Sequence, residues 1–382
     1  MHTNFVNQGK EHILGVATNL RGVRLRRKYV IFESDDWGMS RVPGMQGRQQ
    51  LTDAGLDVTS NRYDLLDCLE SRSDLEQLFN VLDRHRGDNG SPPRFTINMI
   101  LGNPDFEAIS ESNFEEYAFE DLFETYRRQH GENLQPVWER ASAEGLIRPQ
   151  FHGREHLNVE LWLHDLKAGH HEARIAFDHG FFGLATQTSS LRQKNYLAAY
   201  WPTSTSHFKG ITAIAEDGLA RFEQLFGYRS RSFIACNYVL PAGLERFLGE
   251  KGVELIQGQR GQLSPSTDGS QLPIRRSYTG QRNRNRQIYS VRNVKFEPFE
   301  DPQRDWVTSA MREIRSAFFW KTPAIISTHR VNYVGGMDIK HRDNNLKLLE
   351  TLIQNILRTW PDAEFVTSDE LISIIDCGQI DH

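Results

Sequence analysis

The sequence predicts an α/β protein whose core is a parallel sheet, closed or nearly closed into a barrel. Three observations predict this fold class. Eight short runs are rich in apolar and β-branched residues, which is typical of strands buried on both faces. Amphipathic helical patterns lie between them, so that strand and helix alternate along the chain. At 382 residues the chain is long enough for a barrel with insertions.

The eight runs define the predicted strands. Neither GxGxxG nor GxxxxGK(S/T) occurs, so nothing supports a nucleotide-binding open sheet, which is the structural alternative to the barrel. The strands are predicted at 28–34, 95–101, 146–152, 232–240, 253–258, 287–296, 323–329 and 363–368.

The helical pattern is clearest at 343–361, where apolar residues recur at steps of three and four and Pro361 follows the last of them. This periodicity predicts a helix with one face against the sheet. The apolar residues of that face are Leu346, Leu349, Ile353, Ile356, Leu357 and Trp360. Further helices are predicted at 64–84, 158–168, 210–226 and 242–251.

Composition excludes several classes of protein. The net charge is −5, so we expect no nucleic-acid partner and no binding to acidic membrane surfaces. Cys68, Cys236 and Cys377 are far apart, which argues against a disulfide framework or a cysteine zinc cluster. No apolar run is long enough to span a membrane, and no signal peptide is recognised, so we expect a cytoplasmic protein.

We expect one domain over residues 1–382, with the barrel core at about 28–371 and insertions at about 105–135, 180–230 and 258–292. Residues 105–124 carry eight acids and neither lysine nor arginine. Residues 275–292 hold six arginines and no acid. The arginine-rich segment is interpreted either as a solvated loop or as a loop that meets an anionic sugar at an active site.

Histidine is concentrated in one part of the chain. Six of the 14 histidines lie between His152 and His179. Because histidine is the commonest metal ligand and titrates near neutral pH, this excess indicates a functional site. Surface or helix-capping roles are expected for the last four of the six, His164, His170, His171 and His179.

Three predicted strands end in residues with catalytic chemistry, and parallel barrel strands all end on one face. The strand ends carry Asp35 and Asp36 (first), His152 and His156 (third), and His329 (seventh). An H-x-x-x-H spacing places two imidazoles on one side of a helical turn, within reach of one cation. Two histidines and a carboxylate bind zinc and leave a position open for water, the arrangement of a catalytic site.

At these residues the sequence resembles the polysaccharide deacetylase family, also called the NodB-homology or carbohydrate esterase family 4 group. The family's Thr-Phe-Asp-Asp-Gly motif is similar to ESDDWG at 33–38, and its His-Ser/Thr-x-x-His motif to HGREH at 152–156. Its Leu-x-Leu-His motif is similar to ISTH at 326–329, and WPDAEFVTSDEL at 360–371 to the closing segment of many members. The resemblance covers about residues 28–371.

The resemblance implies a distorted (β/α)7 barrel with insertions and a role for each residue. Asp36, His152 and His156 would hold one divalent metal ion, zinc first, with cobalt, nickel or manganese as alternatives. Asp35 would be the general base for metal-bound water, and His329 the general acid that protonates the departing group.

Two of the family's motifs are altered. Its Arg-x-Pro-Tyr motif falls near 230–241, where Ile234 takes the place of the arginine that holds the catalytic aspartate. Its Asp-x-x-Asp motif, which tunes the catalytic histidine, has no match near 253–261. The candidates to replace the arginine are Arg154, Arg229, Arg231 and Arg330. The residues predicted to bind substrate are Asn237, Tyr238 and Arg330.

The sequence therefore predicts a metal-dependent hydrolase that removes N- or O-acetyl groups from a carbohydrate, with an acetylated poly- or oligosaccharide as its partner. One alternative is a metal hydrolase of a non-sugar C–N bond. Another, favoured by the altered motifs, is a carbohydrate-binding or catalytically degenerate barrel. A glycosidase would use the paired carboxylates but leave the H-x-x-x-H without a task.

Overall fold

The computed structural model describes residues 18–184 and 195–377. Residues 185–194, part of the insertion predicted at 180–230, lie outside the described residues. The strands are β1 (Tyr29–Trp37), β2 (Phe95–Ile100), β3 (Gly102–Pro104), β4 (Phe119–Asp121), β5 (Ile147–Gly153), β6 (Ser232–Ile234), β7 (Leu255–Gly258), β8 (Gly261–Leu263), β9 (Ile274–Arg276), β10 (Ile288–Val291), β11 (Val294–Lys295), β12 (Ala324–His329) and β13 (Glu364–Phe365).

The helices lie mostly between the strands. They are α1 (Gly44–Asp53), α2 (Arg62–Leu66), α3 (Arg72–Asp83), α4 (Phe106–Glu111), α5 (Leu122–His130), α6 (Gln135–Ala143), α7 (Val159–Lys167), α8 (His171–Asp178), α9 (Thr205–Phe226), α10 (Ala242–Glu250), α11 (Trp306–Phe319), α12 (Ile339–Thr359) and α13 (Ser368–Asp376). Short 3-10 turns span Cys236–Tyr238 and Arg330–Asn332. No helix in the described parts of the chain is both long and apolar enough to cross a membrane.

The main sheet is parallel, and its strands follow one another in sequence order. The strand β1 pairs with β2 on one side and with β12 on the other. From β2 the pairing continues through β5, β6 and β7 to β10, while β12 pairs with β11. The short β13 pairs with the start of β1. Each predicted strand overlaps a strand of this sheet, but the one predicted at 232–240 ends at Ile234, and the one predicted at 287–296 is divided into β10 and β11.

The strands at the two ends of this series, β10 and β11, are the two halves of one extended segment. Only Arg292 and Asn293 separate β10, which pairs with β7, from β11, which pairs with β12. The backbone N–H of Arg292 donates to Gly258 O of β7, and that of Asn293 donates to Ile325 O of β12. This segment therefore leaves one neighbour and joins the other, which completes a ring of seven strands. The predicted distorted (β/α)7 barrel is confirmed.

The inside of the barrel is polar. This differs from the prediction, in which both faces of each strand are apolar. Asn98 of β2 contacts Gln257 of β7 at 2.8 Å although β5 and β6 lie between their strands, so the two side chains meet inside the ring. Gln257 also donates to Ser232 Oγ at 2.9 Å. Because successive side chains of a strand point to opposite faces, the apolar residues between these positions face outward.

The outward apolar faces of the strands form the main core with the surrounding helices. Phe32 and Phe95 stack on neighbouring strands, with ring centroids 4.7 Å apart. The helix α12 buries Leu349, Ile353 and Ile356 in the same cluster, as its periodicity predicts. Burying one side chain of this size stabilises the fold by about 1.5–3 kcal/mol.

The helix predicted at 64–84 is two helices, α2 and α3, separated by residues 67–71. The second begins at a capping box in which Ser71 and Asp74 satisfy each other's backbone N–H groups. The break between the two helices places the carboxyl groups of Asp67 and Glu70 in the interior of the protein, where both are completely buried.

The predicted insertion at 258–292 is partly wrong, because its last residues form β10 of the barrel. Before β10, the strands β8 and β9 pair as an antiparallel hairpin beside the open end of the barrel. The predicted insertion at 105–135 contains the helices α4 and α5 and the short pair β3–β4.

Candidate metal and catalytic site

The carboxyl ends of the barrel strands surround a cavity of about 800 Å³. The β1–β12 register pairs Asp35 with His329, which brings the first and last predicted catalytic residues side by side. The cavity is also lined by Asp36, His152 and His156, so all five residues lie at one site.

Two adjacent aspartates reach this site because β1 bends between them. The register with β2 shifts between Ser34 and Trp37, and Asp36 adopts a left-handed backbone conformation with φ of 72°. Such a conformation is uncommon for a residue other than glycine and is concentrated at functional sites. Gly38 completes the turn at φ of 85°, where a Cβ would lie 2.3 Å from the carbonyl oxygen of Ile100.

The carboxylate of Asp36 meets both imidazoles. Its Oδ1 lies 3.3 Å from Nε2 of His152 and 3.4 Å from Nε2 of His156. The Nδ1 of His152 is 2.9 Å from Ile234 O, which can only accept, so this nitrogen carries the proton. Nε2 of His152 is then the ring nitrogen that faces Asp36, and it is the one that would bind a metal ion held by both residues.

These distances fit a metal ion. Two ligands of one tetrahedral zinc ion lie roughly 3.4 Å apart, because zinc–nitrogen and zinc–oxygen bonds are about 2.0–2.2 Å long. Burial lowers the pKa of His156 to about 4, so this imidazole is neutral at pH 7, as a ligand must be. Despite the opposing effect of burial, the surrounding imidazoles hold the pKa of Asp36 well below its usual range, so it is a carboxylate.

One part of the sequence argument for this site is wrong. His152 lies in β5, but His156 lies in an irregular loop rather than on a helical turn. The loop folds back so that the two imidazole centroids are 5.1 Å apart. The spacing therefore found the pair, although a loop rather than a helix brings the rings together.

Cys236 is an unexpected neighbour of these ligands. Its thiol lies among the ligand atoms of His152 and His156, all within 4.8 Å of one another. Burial raises its pKa well above the usual range, and its Sγ is 3.6 Å from the carbonyl oxygen of His152. The sequence argument had assigned no cysteine to the site.

Asp35 is held by an arginine that was not among the four candidates. Both oxygens of Asp35 accept from Arg292, at 2.7 Å from Nη1 and 2.6 Å from Nη2, and Asn98 Nδ2 donates to Oδ1 at 2.7 Å. Burial by itself would raise the pKa of Asp35, but the guanidinium holds it below its usual range. Asp35 is therefore ionised at neutral pH.

Arg292 is itself held in place by a second carboxyl group, that of Glu33. Its Nε donates to Oε2 of Glu33 at 2.9 Å, while Ser290 and Ser368 donate to Oε1 of the same carboxyl. Glu33 is completely buried, and burial raises its pKa. Arg292 lies where the barrel closes, and its guanidinium thus bridges two carboxyl groups of β1.

His329 is paired with a carboxylate that the sequence argument did not find. Its Nδ1 donates to Oε1 of Glu297 at 2.6 Å, and Asn332 donates to the other oxygen at 2.8 Å. Its Nε2 faces Asp35 Oδ2 at 3.6 Å. Although burial opposes the charge, Glu297 raises the pKa of His329 to about 9, so the imidazole is protonated at neutral pH.

The predicted substrate-binding residues fall in different places. Asn237 and Tyr238 line the cavity from the turn after β6, and both have left-handed backbone angles. Arg330 does not reach the cavity. It is completely buried and donates to Asp67, Glu70 and the carbonyl oxygen of Met39, so its role is to hold the break between α2 and α3 against the barrel.

The missed residues belong to one predicted strand, 287–296, and its immediate end. In this strand Ser290 and Arg292 alternate with Tyr289 and Val291, which indicates that one polar face points into the barrel. The same alternation marks Glu33 and Asp35 in β1. The prediction of strands that are apolar on both faces did not take this alternation into account.

No model of a known protein family matches this sequence. No curated protein matches it by sequence.

Several solved structures have a similar course of the backbone. A glycoside hydrolase/deacetylase of Parabacteroides distasonis is 11% identical, with a TM-score of 0.48 over 93% of this chain and 72% of its own. A 4-alpha-glucanotransferase of Thermococcus litoralis is 8% identical, with a TM-score of 0.46 over 91% of this chain, which spans 40% of that enzyme. A polysaccharide deacetylase of Mycobacterium smegmatis is 8% identical, with a TM-score of 0.44 over 94% and 95% of the two chains. The structural neighbours of this protein thus include polysaccharide deacetylases.

Proposed function

We propose that this protein is a metal-dependent hydrolase that removes acetyl groups from a carbohydrate. The observation that carries the proposal is the pair of Asp35 and His329, 3.6 Å apart beside the cluster of Asp36 and two imidazoles. Amides and esters resist attack by neutral water, and their leaving groups need a proton. A base, an acid and a Lewis acid at one site meet both needs.

Each residue has a defined task in this reaction. A divalent ion held by Asp36, His152 and His156 would supply Lewis acidity, which lowers the pKa of water and polarises the acetyl carbonyl. Asp35 would accept a proton from the attacking water. His329 would donate a proton to the departing nitrogen or oxygen as its bond to the acetyl carbon breaks, which leaves acetate and a free amine or hydroxyl.

The walls of the cavity support a carbohydrate as the substrate. Tyr63 and Tyr238 line it, and aromatic faces are suitable platforms for the apolar faces of sugar rings. The side chains of Asn61 and Asn237 add neutral polar groups to the same wall. The volume of about 800 Å³ lies within the range of ~300–1,000 Å³ that is typical of ligand pockets.

The alternative of a degenerate barrel depended on two altered motifs. Arg292 makes the paired contact with Asp35 that the third motif provides in the family, and Glu297 makes the contact with His329 that the fourth motif provides. Both groups come from the strand that closes the barrel. These contacts favour an active enzyme over a binding protein.

The proposal is tested by acetate release from chitooligosaccharides, acetylated xylan and N-acetyl amino acids. We expect the metal-replete protein to release acetate from a sugar, and His152→Ala to abolish the release. His164→Ala is the matched control, because that histidine is exposed and lies on α7 outside the cavity. Release from N-acetyl amino acids alone would favour the non-sugar hydrolase, and release from no compound would contradict the proposal.

The pH dependence should report the His329–Glu297 pair. Because Glu297 raises the pKa of His329, the acid is protonated below about pH 9, and acetate release should fall as the pH rises through this value. In Glu297→Gln the charge is lost, and this limb of the pH–rate profile should move down by roughly 1–3 units. Glu300→Gln is the control, since Glu300 lines the cavity but pairs with Lys295. An unmoved limb in Glu297→Gln would refute the assigned role.

A further inference from the structure

The charged groups that line the cavity are largely neutralised by one another. Each has a partner at hydrogen-bond or ion-pair distance, and most of these partners carry the opposite charge. The ion pairs are Asp35 with Arg292, Glu297 with His329, Glu300 with Lys295, Arg41 with Asp64, and Asp36 with the two imidazoles. Two further charged residues of the wall have hydrogen bonds: Arg304 donates to Ser309 Oγ, and Glu313 accepts from the backbone N–H of Lys295.

Arg260 is different. It lines the cavity from the segment that joins β7 to β8, and the residue is partly buried. Within residues 18–184 and 195–377, its guanidinium makes no hydrogen bond, ion pair or cation–π contact. A cation on the wall of an active-site cavity is thus available to a ligand.

The backbone around Arg260 is fixed. The carbonyl oxygen of Arg260 accepts from the N–H of Ser277 at 3.0 Å, and the next residue, Gly261, pairs with Arg276 in the β8–β9 hairpin. A guanidinium is planar and binds the two oxygens of a carboxylate, sulfate or phosphate in parallel hydrogen bonds. Because the backbone is already held, less freedom is lost when such a group binds.

We propose that Arg260 binds an anionic substituent, a carboxylate or sulfate, on the carbohydrate that occupies this cavity. The inference rests on the proposed function for the carbohydrate but assigns a substrate class that the reaction itself does not require. Acetylated sugars with an acidic group should then be preferred over their neutral counterparts.

The hairpin offers a matched control. Arg276 lies opposite Gly261, is exposed, and does not line the cavity. Arg260→Ala and Arg276→Ala therefore remove the same charge from neighbouring positions of one hairpin. Only the first change removes it from the cavity.

Binding can be measured without turnover if the probes carry no acetyl group. Calorimetry with the metal-replete protein would compare cellotetraose with its C6-oxidised form, the β-1,4-linked glucuronate tetramer, and with its 6-O-sulfated form. We expect at least one charged tetramer to bind roughly 10- to 100-fold more tightly than cellotetraose. The preference should fall to about onefold in Arg260→Ala and persist in Arg276→Ala.

The outcomes separate this inference from the proposed function. Equal affinity of the wild-type protein for charged and neutral tetramers, including no measurable binding of any, would overturn the inference. So would an equal loss of preference in the two variants. An Arg260-dependent preference without acetate release from any substrate would support the anion site while the hydrolase proposal fails.

Discussion

Replacing Asp35 with asparagine is expected to lower kcat for acetate release by roughly 10²- to 10⁴-fold, while the metal content stays at the wild-type value. Asparagine has nearly the same shape but cannot accept the proton of the attacking water. The metal is held by Asp36, His152 and His156, and Asp35 is directed instead toward Arg292 and Asn98. Kinetics on the best substrate and elemental analysis of the same preparation would check both expectations.

The matched comparison is Asp36→Asn. That substitution should remove the metal and the activity together, because Oδ1 of Asp36 is the oxygen that faces both imidazoles. Cys236→Ser should retain the metal if Asp36 is the third ligand. Unchanged turnover in Asp35→Asn would exclude it as the base, and loss of the metal in Cys236→Ser with retention in Asp36→Asn would make the thiol the third ligand.

Replacing Arg292 should have the largest effect on stability. In Arg292→Ala the carboxyls of Glu33 and Asp35 stay buried without their shared cation, and breaking such a pair costs about 3–5 kcal/mol. Urea denaturation would measure the change in the free energy of unfolding. Arg292→Lys keeps the charge but cannot span both carboxyls with a planar fork, so we expect a folded protein whose kcat falls by roughly 10²-fold.

Arg330→Lys is the control for this comparison. Arg330 is also completely buried and also bridges two carboxyls, Asp67 and Glu70, but it does not contact Asp35 or the cavity. Both lysine variants should lose stability, and only Arg292→Lys should lose turnover out of proportion to its folded fraction. A stability unchanged in Arg292→Ala would contradict the bridging role, and equal kinetic losses in the two lysine variants would exclude a specific effect on Asp35.

Much of the fold could be predicted because the outer face of each strand is apolar, even where the inner face is polar. Phe95 and Ile97 of β2 and Val30 and Phe32 of β1 are buried against helices, and such residues mark the strands in the sequence. The inner face could not be judged from hydrophobicity alone. Its polar side chains satisfy one another across the ring, which a linear sequence does not display.

In the candidate site, too, some residues could be predicted from the sequence and others could not. Asp35, Asp36, His152, His156 and His329 stand next to the ends of predicted strands, so the topology brings them together. The partners of Asp35 and His329 were not predicted, because Arg292 and Glu297 come from the closing strand rather than from the segments where similar motifs were sought. Arg330 was assigned to the substrate from its position beside His329, but its side chain points to the opposite side, where Asp67 and Glu70 neutralise it.

The most direct test of the account is acetate release as metal is returned to the chelated protein. The account predicts that release is absent without metal and rises to its full value at about one equivalent of a divalent ion per chain, with zinc as the first choice. His152→Ala should neither bind this equivalent nor recover. Full acetate release from the metal-free protein, or a wild-type protein that binds no divalent ion, would contradict the central claim that Asp36, His152 and His156 form a catalytic metal site.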